Sequence, residues 1–139
     1  MLVSAVPVLP VRAIDAAAAF YAGALGFRIV HADAGYAVLA QDGVELHLWA
    51  AKDERWRDRA GDPPVVSGAE SFIAGTASCR VRTDDIEALH ATCRARGIVH
   101  PNGPLADKPY GLREFAVLDP DGNLVTFFRP LDQIGRAHV

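Results

Sequence analysis

The sequence predicts an α+β fold made of two tandem βαβββ modules with mixed sheets. Three observations predict it. The order strand, amphipathic helix, three strands occurs twice, over about 3–50 and about 72–130. Landmark residues recur in both copies: Ile14 matches Ile86, Gly26-Phe27 matches Gly97-Ile98, and Asp42-Gly43 matches Asp121-Gly122. Within each copy the apolar period changes from that of a helix to the alternation of strands.

The first module opens with an extended apolar run over 5–11 that carries Pro7 and Pro10. Proline cannot donate to a ladder, so this strand belongs on an edge or in an exchanged arm. A helix follows over 14–25, with Ile14, Ala18, Tyr21 and Leu25 at helical spacing and Ala17, Phe20 and Ala24 widening the stripe. Gly26 ends it. Strands are expected over 27–31, 36–41 and 44–49, and Asp42-Gly43 marks a tight hairpin between the last two.

The second module repeats the order. A strand is expected over 77–83, and Asp85 caps a helix reaching about 96, with Ile86, Leu89 and Cys93 on one face. Strands over 98–100, 113–118 and 124–129 complete it, and Asp119-Pro120-Asp121-Gly122 turns the last hairpin. A polar, charged stretch, 51–71, reads as a linker, and an irregular stretch, 101–112, interrupts the second module. Loops of that length in a small domain are often functional. Residues 1–132 are therefore expected to form one domain. The tail 133–139 has no periodicity, looks like a translated sequencing adapter, and is expected to be non-native or disordered.

The chain has 139 residues, half of them apolar and 22% charged, with a formal net charge of −3. That profile suits an ordinary globular domain and gives no electrostatic reason to bind nucleic acid. No run approaches transmembrane length, and the N-terminal stretch lacks the basic start of a signal peptide. A cytoplasmic location is expected, with Cys79 and Cys93 as buried thiols.

Val11 to Gly26-Phe27, with Phe20-Tyr21 before the glycine, resembles the first module of the vicinal-oxygen-chelate superfamily. Arg113-Glu114-Phe115-Ala116-Val117, followed by Asp-Pro-Asp-Gly-Asn, resembles the close of its second module. The resemblance implies cup-shaped mixed sheets. The superfamily includes glyoxalases, extradiol dioxygenases, fosfomycin-modifying enzymes and bleomycin-binding resistance proteins, so fold alone does not select an activity. Ser4-Ala5-Val6-Pro7-Val8-Leu9, Asp33-Ala34-Gly35-Tyr36 and Tyr110-Gly111 before Arg113-Glu114-Phe115 are most similar to the last group. Leu112 is inserted relative to that pattern. The resemblance implies a homodimer with an exchanged N-terminal strand and ligand clefts at the subunit interface.

Enzymes of the superfamily take one metal ligand from the first and one from the last strand of each module. The internal register places those positions at Val6, His47, Ser78 and Thr126. A catalytic site usually needs three ligands from His, Asp, Glu or Cys. Valine cannot ligate and neutral hydroxyls ligate poorly, which leaves His47 and, on its face of the strand, Glu45. No metal, cofactor or catalytic residue is therefore expected. No nucleophile elbow, phosphate loop or HExxH pattern takes their place.

The expected binding surface comprises His31, Asp33, Tyr36, Val38, Glu45, His47, Trp49, Trp56, Tyr110 and Glu114. Its rings suit a flat ligand by stacking. Its carboxylates Asp33, Glu45 and Glu114 suit a cationic end. The resemblance implies sequestration of bleomycin-type glycopeptides, free or copper-bound, without a chemical step. Two other functions fit the same residues: a divergent glyoxalase-like or thiol-transfer enzyme ligating metal through His47 and Glu45, or a binder of another flat cationic natural product. A bland reading also exists for several positions. Trp49 and Trp56 suit ordinary packing, His90 suits the surface, and Arg113 and Glu114 suit a mutual structural pair.

Overall fold

The computed structural model describes residues 1–51, 67, 69 and 73–132. Trp56, most of the expected linker and the tail 133–139 lie outside the described residues. The chain divides into two compact units: Met1–Ala77 with Pro120–Asn123, and Ser78–Asp119 with Leu124 onward. Each carries one mixed four-stranded sheet and one helix.

In the first unit the elements are β1 (Val8–Val11), α1 (Ile14–Leu25), β2 (Arg28–Ala32), β3 (Tyr36–Gln41) and β4 (Val44–Ala50). The sheet order is β1-β4-β3-β2, with β1 parallel to β4 and the other pairs antiparallel. The proline-bearing β1 is an edge strand, as its missing donors require. It is shorter than the apolar run, because pairing starts only at Val8. Ahead of it, Pro7 still accepts a hydrogen bond from the His47 N–H at 3.0 Å.

The helix α1 buries Ile14, Ala17, Ala18, Tyr21 and Leu25. These cover the sheet face that carries Ala37, Leu39, Leu46 and Leu48, all of them fully buried. Each buried leucine contributes about 1.5–3 kcal/mol relative to exposure. Gly26 closes the helix at φ 81°, and the following Phe27 N–H reaches back to the Tyr21 carbonyl at 3.0 Å. Asp42 and Gly43, both at positive φ, make the predicted hairpin between Gln41 and Val44.

Residues Pro120–Asn123 of the last hairpin pack with this unit. The fully buried Asn123 donates through Nδ2 to the Pro10 carbonyl at 2.8 Å and accepts the Ala77 N–H at 3.2 Å. Arg12 binds the Asp121 carboxylate through its backbone N–H and its guanidinium, at 3.0 and 3.1 Å. Backbone approaches backbone closely here: a Cβ on Gly75 would stand 2.0 Å from the Asp121 carbonyl oxygen.

In the second unit the elements are β5 (Ser78–Arg82), α2 (Ile86–Ala95), β6 (Ala106–Asp107), β7 (Leu112–Leu118) and β8 (Leu124–Pro130). The sheet order is β5-β8-β7-β6, with β5 parallel to β8. Asp85 caps α2 by accepting the Ala88 N–H. The helix-facing side of the sheet carries Phe115, Val117, Val125 and Phe127, packed with Ile86 and Cys93. Both cysteines are free thiols, and burial, aided by Asp119, raises Cys79 to about 11.

One predicted strand is absent. Residues 98–100 form a single bridge, Val99 to Val117, and β6 takes the edge position instead. Pro101 and Pro104 cannot donate, and the chain turns between them. It stays on β7 through His100 N–H to the Ala116 carbonyl and Ala116 N–H to the Gly103 carbonyl, at 2.8 and 2.9 Å. Two further expectations change. Arg113 and Glu114 do not pair, because adjacent strand residues point to opposite faces. His90 is half-buried with its ring edge-on to Phe115 at 5.1 Å.

Candidate functional site

The sheet face away from α1 carries the predicted residues of the first unit. Cross-strand pairing sets Tyr36 beside Trp49, Val38 beside His47 and Ala40 beside Glu45, so these side chains share one face. Tyr36, Val38, Ala40, His47 and Trp49 are half-buried and Glu45 is exposed, in alternation with the fully buried core positions of β3 and β4. Val8 and Pro10 of β1 extend the row beside His47 and Trp49.

His31 reaches this face through an irregularity. In unbroken register with Ile29 opposite Leu39, His31 would lie opposite Ala37 and point to the helix side. A bulge between Ile29 and His31 shifts the register, and His31 stands opposite Val38. One extra residue reverses the side on which every following side chain falls.

A hydrogen-bonded chain organises the face. The Tyr36 hydroxyl lies 2.6 Å from His47 Nδ1, and His47 Nε2 lies 2.8 Å from Glu45. A carboxylate only accepts, so Nε2 carries the proton, and in the neutral ring Nδ1 accepts from the phenol. The two rings meet edge to face at 5.3 Å. Desolvation, helped by the Glu45 charge, raises the Tyr36 phenol above its ordinary value. Asp33 shapes the approaching turn by accepting the N–H groups of Gly35 and Tyr36 at 2.8 and 2.9 Å, and it contacts His31 at 3.0 Å. The Gly35 N–H, then His31 and the Tyr36 N–H, hold its carboxyl below the usual range.

The equivalent face of the second unit carries a charged pair among small and aromatic side chains. Glu114 lies beside Phe128 and Ala106, and Ala116 beside Thr126. Glu114 is buried, with both oxygens engaged: the Tyr110 hydroxyl donates to Oε1 and Arg80 Nη2 to Oε2, each at 2.6 Å. Burial opposes ionisation of Glu114, but these two bonds outweigh it and hold its carboxyl below the ordinary value. Arg80 lies over the Phe128 ring at 5.1 Å. Tyr110 sits at the tip of the β6–β7 hairpin, 61% exposed. Pro109 starts that turn and Gly111 leaves it at φ 86°, with the Gly111 N–H bonded to the Lys108 carbonyl. The inserted Leu112 begins β7, opposite Pro130.

On the opposite face of β7, Arg113 binds Asp107 and Glu87 at 2.6 and 2.5 Å. That cluster ties β6 and α2 to β7 and lies away from the face of Glu114.

The structure brings together Tyr36, Val38, Glu45, His47, Trp49, His31 and Asp33 in the first unit, and Tyr110 and Glu114 in the second. Arg80 and Phe128 escaped the sequence reading. A signal existed: register singles out Ser78, and strand alternation places Arg80 on the same face two residues later.

The superfamily's metal positions can be tested directly. The parallel pairs set Val8 opposite His47 and Arg80 opposite Thr126, so the two modules share one register. Val6 and Ser78 are therefore equivalent positions of the two modules, as are His47 and Thr126, the four residues at which the resemblance puts the superfamily's ligands. These residues do not fit a metal. Only His47 is a strong ligand, and both its nitrogens are engaged. Among the described residues no group of three or more His, Cys, Asp or Glu could hold one.

A βαβββ module with one covered and one open, ring-bearing sheet face, present twice, defines a class of duplicated-module folds. A family model described as the glyoxalase/bleomycin resistance protein/dioxygenase superfamily matches residues 4–127. A bleomycin resistance protein of Geobacillus stearothermophilus is 48% identical over 130 residues, covering 94% of this chain and 98% of that one. A bleomycin resistance protein of Klebsiella pneumoniae is 32% identical over 127 residues, 87% of each chain. The solved bleomycin-binding protein from bleomycin-producing Streptomyces verticillus, in complex with copper(II)-bleomycin, is 28% identical with a TM-score of 0.67, covering 91% and 95% of the two chains. The chain belongs to the glyoxalase/bleomycin resistance protein/dioxygenase superfamily, and the two relatives above, 48% and 32% identical, are bleomycin resistance proteins.

Proposed function

We propose that this protein confers resistance by binding bleomycin-type glycopeptides, metal-free or copper-bound, without transforming them. The observation that carries the reading is the ring face of Tyr36, His47 and Trp49 in a chain 48% identical to a bleomycin resistance protein. Such a drug has a flat bithiazole and a cationic tail. Aromatic faces stack on the former, each contributing about 0.5–1.5 kcal/mol beyond area burial. His31 and Val38 widen the stacking surface, and Tyr110 supplies a further ring. Asp33 and Glu45 attract the cation, while Glu114, with both oxygens engaged, holds Tyr110 in place. Trp56 is a further contact in this reading. Sequestration needs affinity and stoichiometry rather than turnover.

The protein acts in this reading as a cytoplasmic homodimer with exchanged N-terminal segments. Leu2 and Val3 support it, standing almost wholly exposed ahead of an edge strand that starts only at Val8. Calorimetric titration of the full chain with copper-bleomycin tests the function. Saturable binding of one drug per chain is expected, and absence of saturable heat at micromolar protein overturns it. Sedimentation of the same sample reads the dimer.

A further inference from the structure

The open face of the second unit holds a cavity of about 330 Å³ beside the Tyr110–Glu114 pair. That volume falls in the range of small-ligand pockets. Its polar lining is Arg80, His100, Asn102, Lys108, Glu114 and Thr126.

Donors dominate this lining. Arg80 and Lys108 are cations with no accepting atom. His100 Nδ1 accepts the Asn102 N–H at 2.8 Å, so a neutral His100 carries its proton on Nε2 and donates there. Thr126 adds a hydroxyl. The one carboxylate, Glu114, already has each oxygen taken, by Tyr110 and Arg80. Two fixed cations therefore face one fixed anion, and the pocket retains a net positive charge.

Arg80 is also held in place. Glu114 fixes one end of its guanidinium, Phe128 lies under it at 5.1 Å, and its own strand pairs it opposite Thr126. A charge positioned by three neighbours need not be reordered when a ligand arrives, which lowers the entropic cost of binding.

We propose that this cavity is an oxyanion subsite, taking a carboxylate or phosphate group between Arg80 and Lys108. The subsite shares Glu114 with Tyr110 of the stacking surface, but its anion chemistry does not depend on whether the chain binds bleomycin.

Amide NMR titration of the intact protein tests it, with acetate, inorganic phosphate and uncharged acetamide as separate probes. Acetate or phosphate should give saturable shifts at Asn102, Gly103 and Thr126, and comparison of the two identifies the preferred anion. Acetamide should give none. Arg80→Met should weaken the anion about tenfold, the loss of one charge-assisted hydrogen bond. Arg94→Met, which removes an exposed charge from α2, should leave the affinity unchanged. Unsaturable shifts, equal binding of acetamide, or equal weakening by Arg94→Met would overturn the subsite. So would an Arg80→Met protein that folds and binds the anion normally. Should that variant fail to fold, Lys108→Met decides: weaker binding supports the subsite, and unchanged binding removes it. Copper-bleomycin titration of the same samples is scored separately, so failure of one reading is distinguishable from failure of the other.

Discussion

Asn123→Ala should destabilise the protein by about 2–4 kcal/mol, because leaving the buried Pro10 carbonyl unpaired costs about 1–3 kcal/mol and the half-buried Ala77 N–H adds about 1 kcal/mol. The groups are the Pro10 carbonyl, 2.8 Å from Nδ2, and the Ala77 N–H, 3.2 Å from Oδ1. Asn123 is fully buried, so water does not readily replace the side chain. Urea unfolding with fluorescence detection measures the effect. With a slope of about 2 kcal/mol per molar urea, the midpoint should fall by about 1–2 M. Asn123→Asp should be no better at neutral pH. It keeps an acceptor for Ala77 but presents a carboxylate oxygen to the Pro10 carbonyl in a buried setting. The consequence reaches the ring face, since Pro10 is paired with Trp49. A shift of under about 0.5 kcal/mol, typical of an exposed contact, would refute the reasoning.

Two other outcomes follow from the geometry. Tyr36→Phe keeps the ring and removes the partner of His47, so copper-bleomycin affinity should fall only slightly. Tyr36→Ala should cost about 1 kcal/mol more if the ring stacks on the drug, and equal losses in the two variants would remove stacking at this position. Hydrogen bonds from Arg113 hold both Glu87 and Asp107 below their ordinary values. A carboxyl with a depressed folded pKa stabilises fully above its unfolded value, about 4, and loses that contribution as pH falls through the folded value. Thermal midpoints should therefore drop between about pH 5 and about pH 2, and Arg113→Met should flatten the drop. An unchanged slope in that variant would remove the cluster as its source.

Several features were legible because they depend on near neighbours in the chain. The α1 stripe, the Gly26 terminus, the Asp85 cap and the Asp42-Gly43 hairpin each follow from local backbone preference or short-range hydrogen bonding. The alternation of Glu45, His47 and Trp49 with Leu46 and Leu48 follows from strand geometry alone. Strand 98–100 failed for a different reason. Its apolar run suits a strand, but the prolines at 101 and 104 remove ladder donors, and a two-residue segment farther on captures the edge.

The duplicated register is the deepest thing the sequence determined about this protein. It fixes the two-module architecture and locates Val6, His47, Ser78 and Thr126, where the superfamily's ligand positions fall, because repeats preserve the spacing between strand and turn. Tertiary structure alone decided the rest. The bulge that turns His31 to the ring face is a matter of pairing between strands. The union of Arg80, Tyr110 and Glu114 depends on β5 and the β6–β7 hairpin flanking β8 in one sheet, with Arg80 and Glu114 more than thirty residues apart in the chain. Such contacts are set by how sheets close and not by local preference, so no pattern along the chain records them.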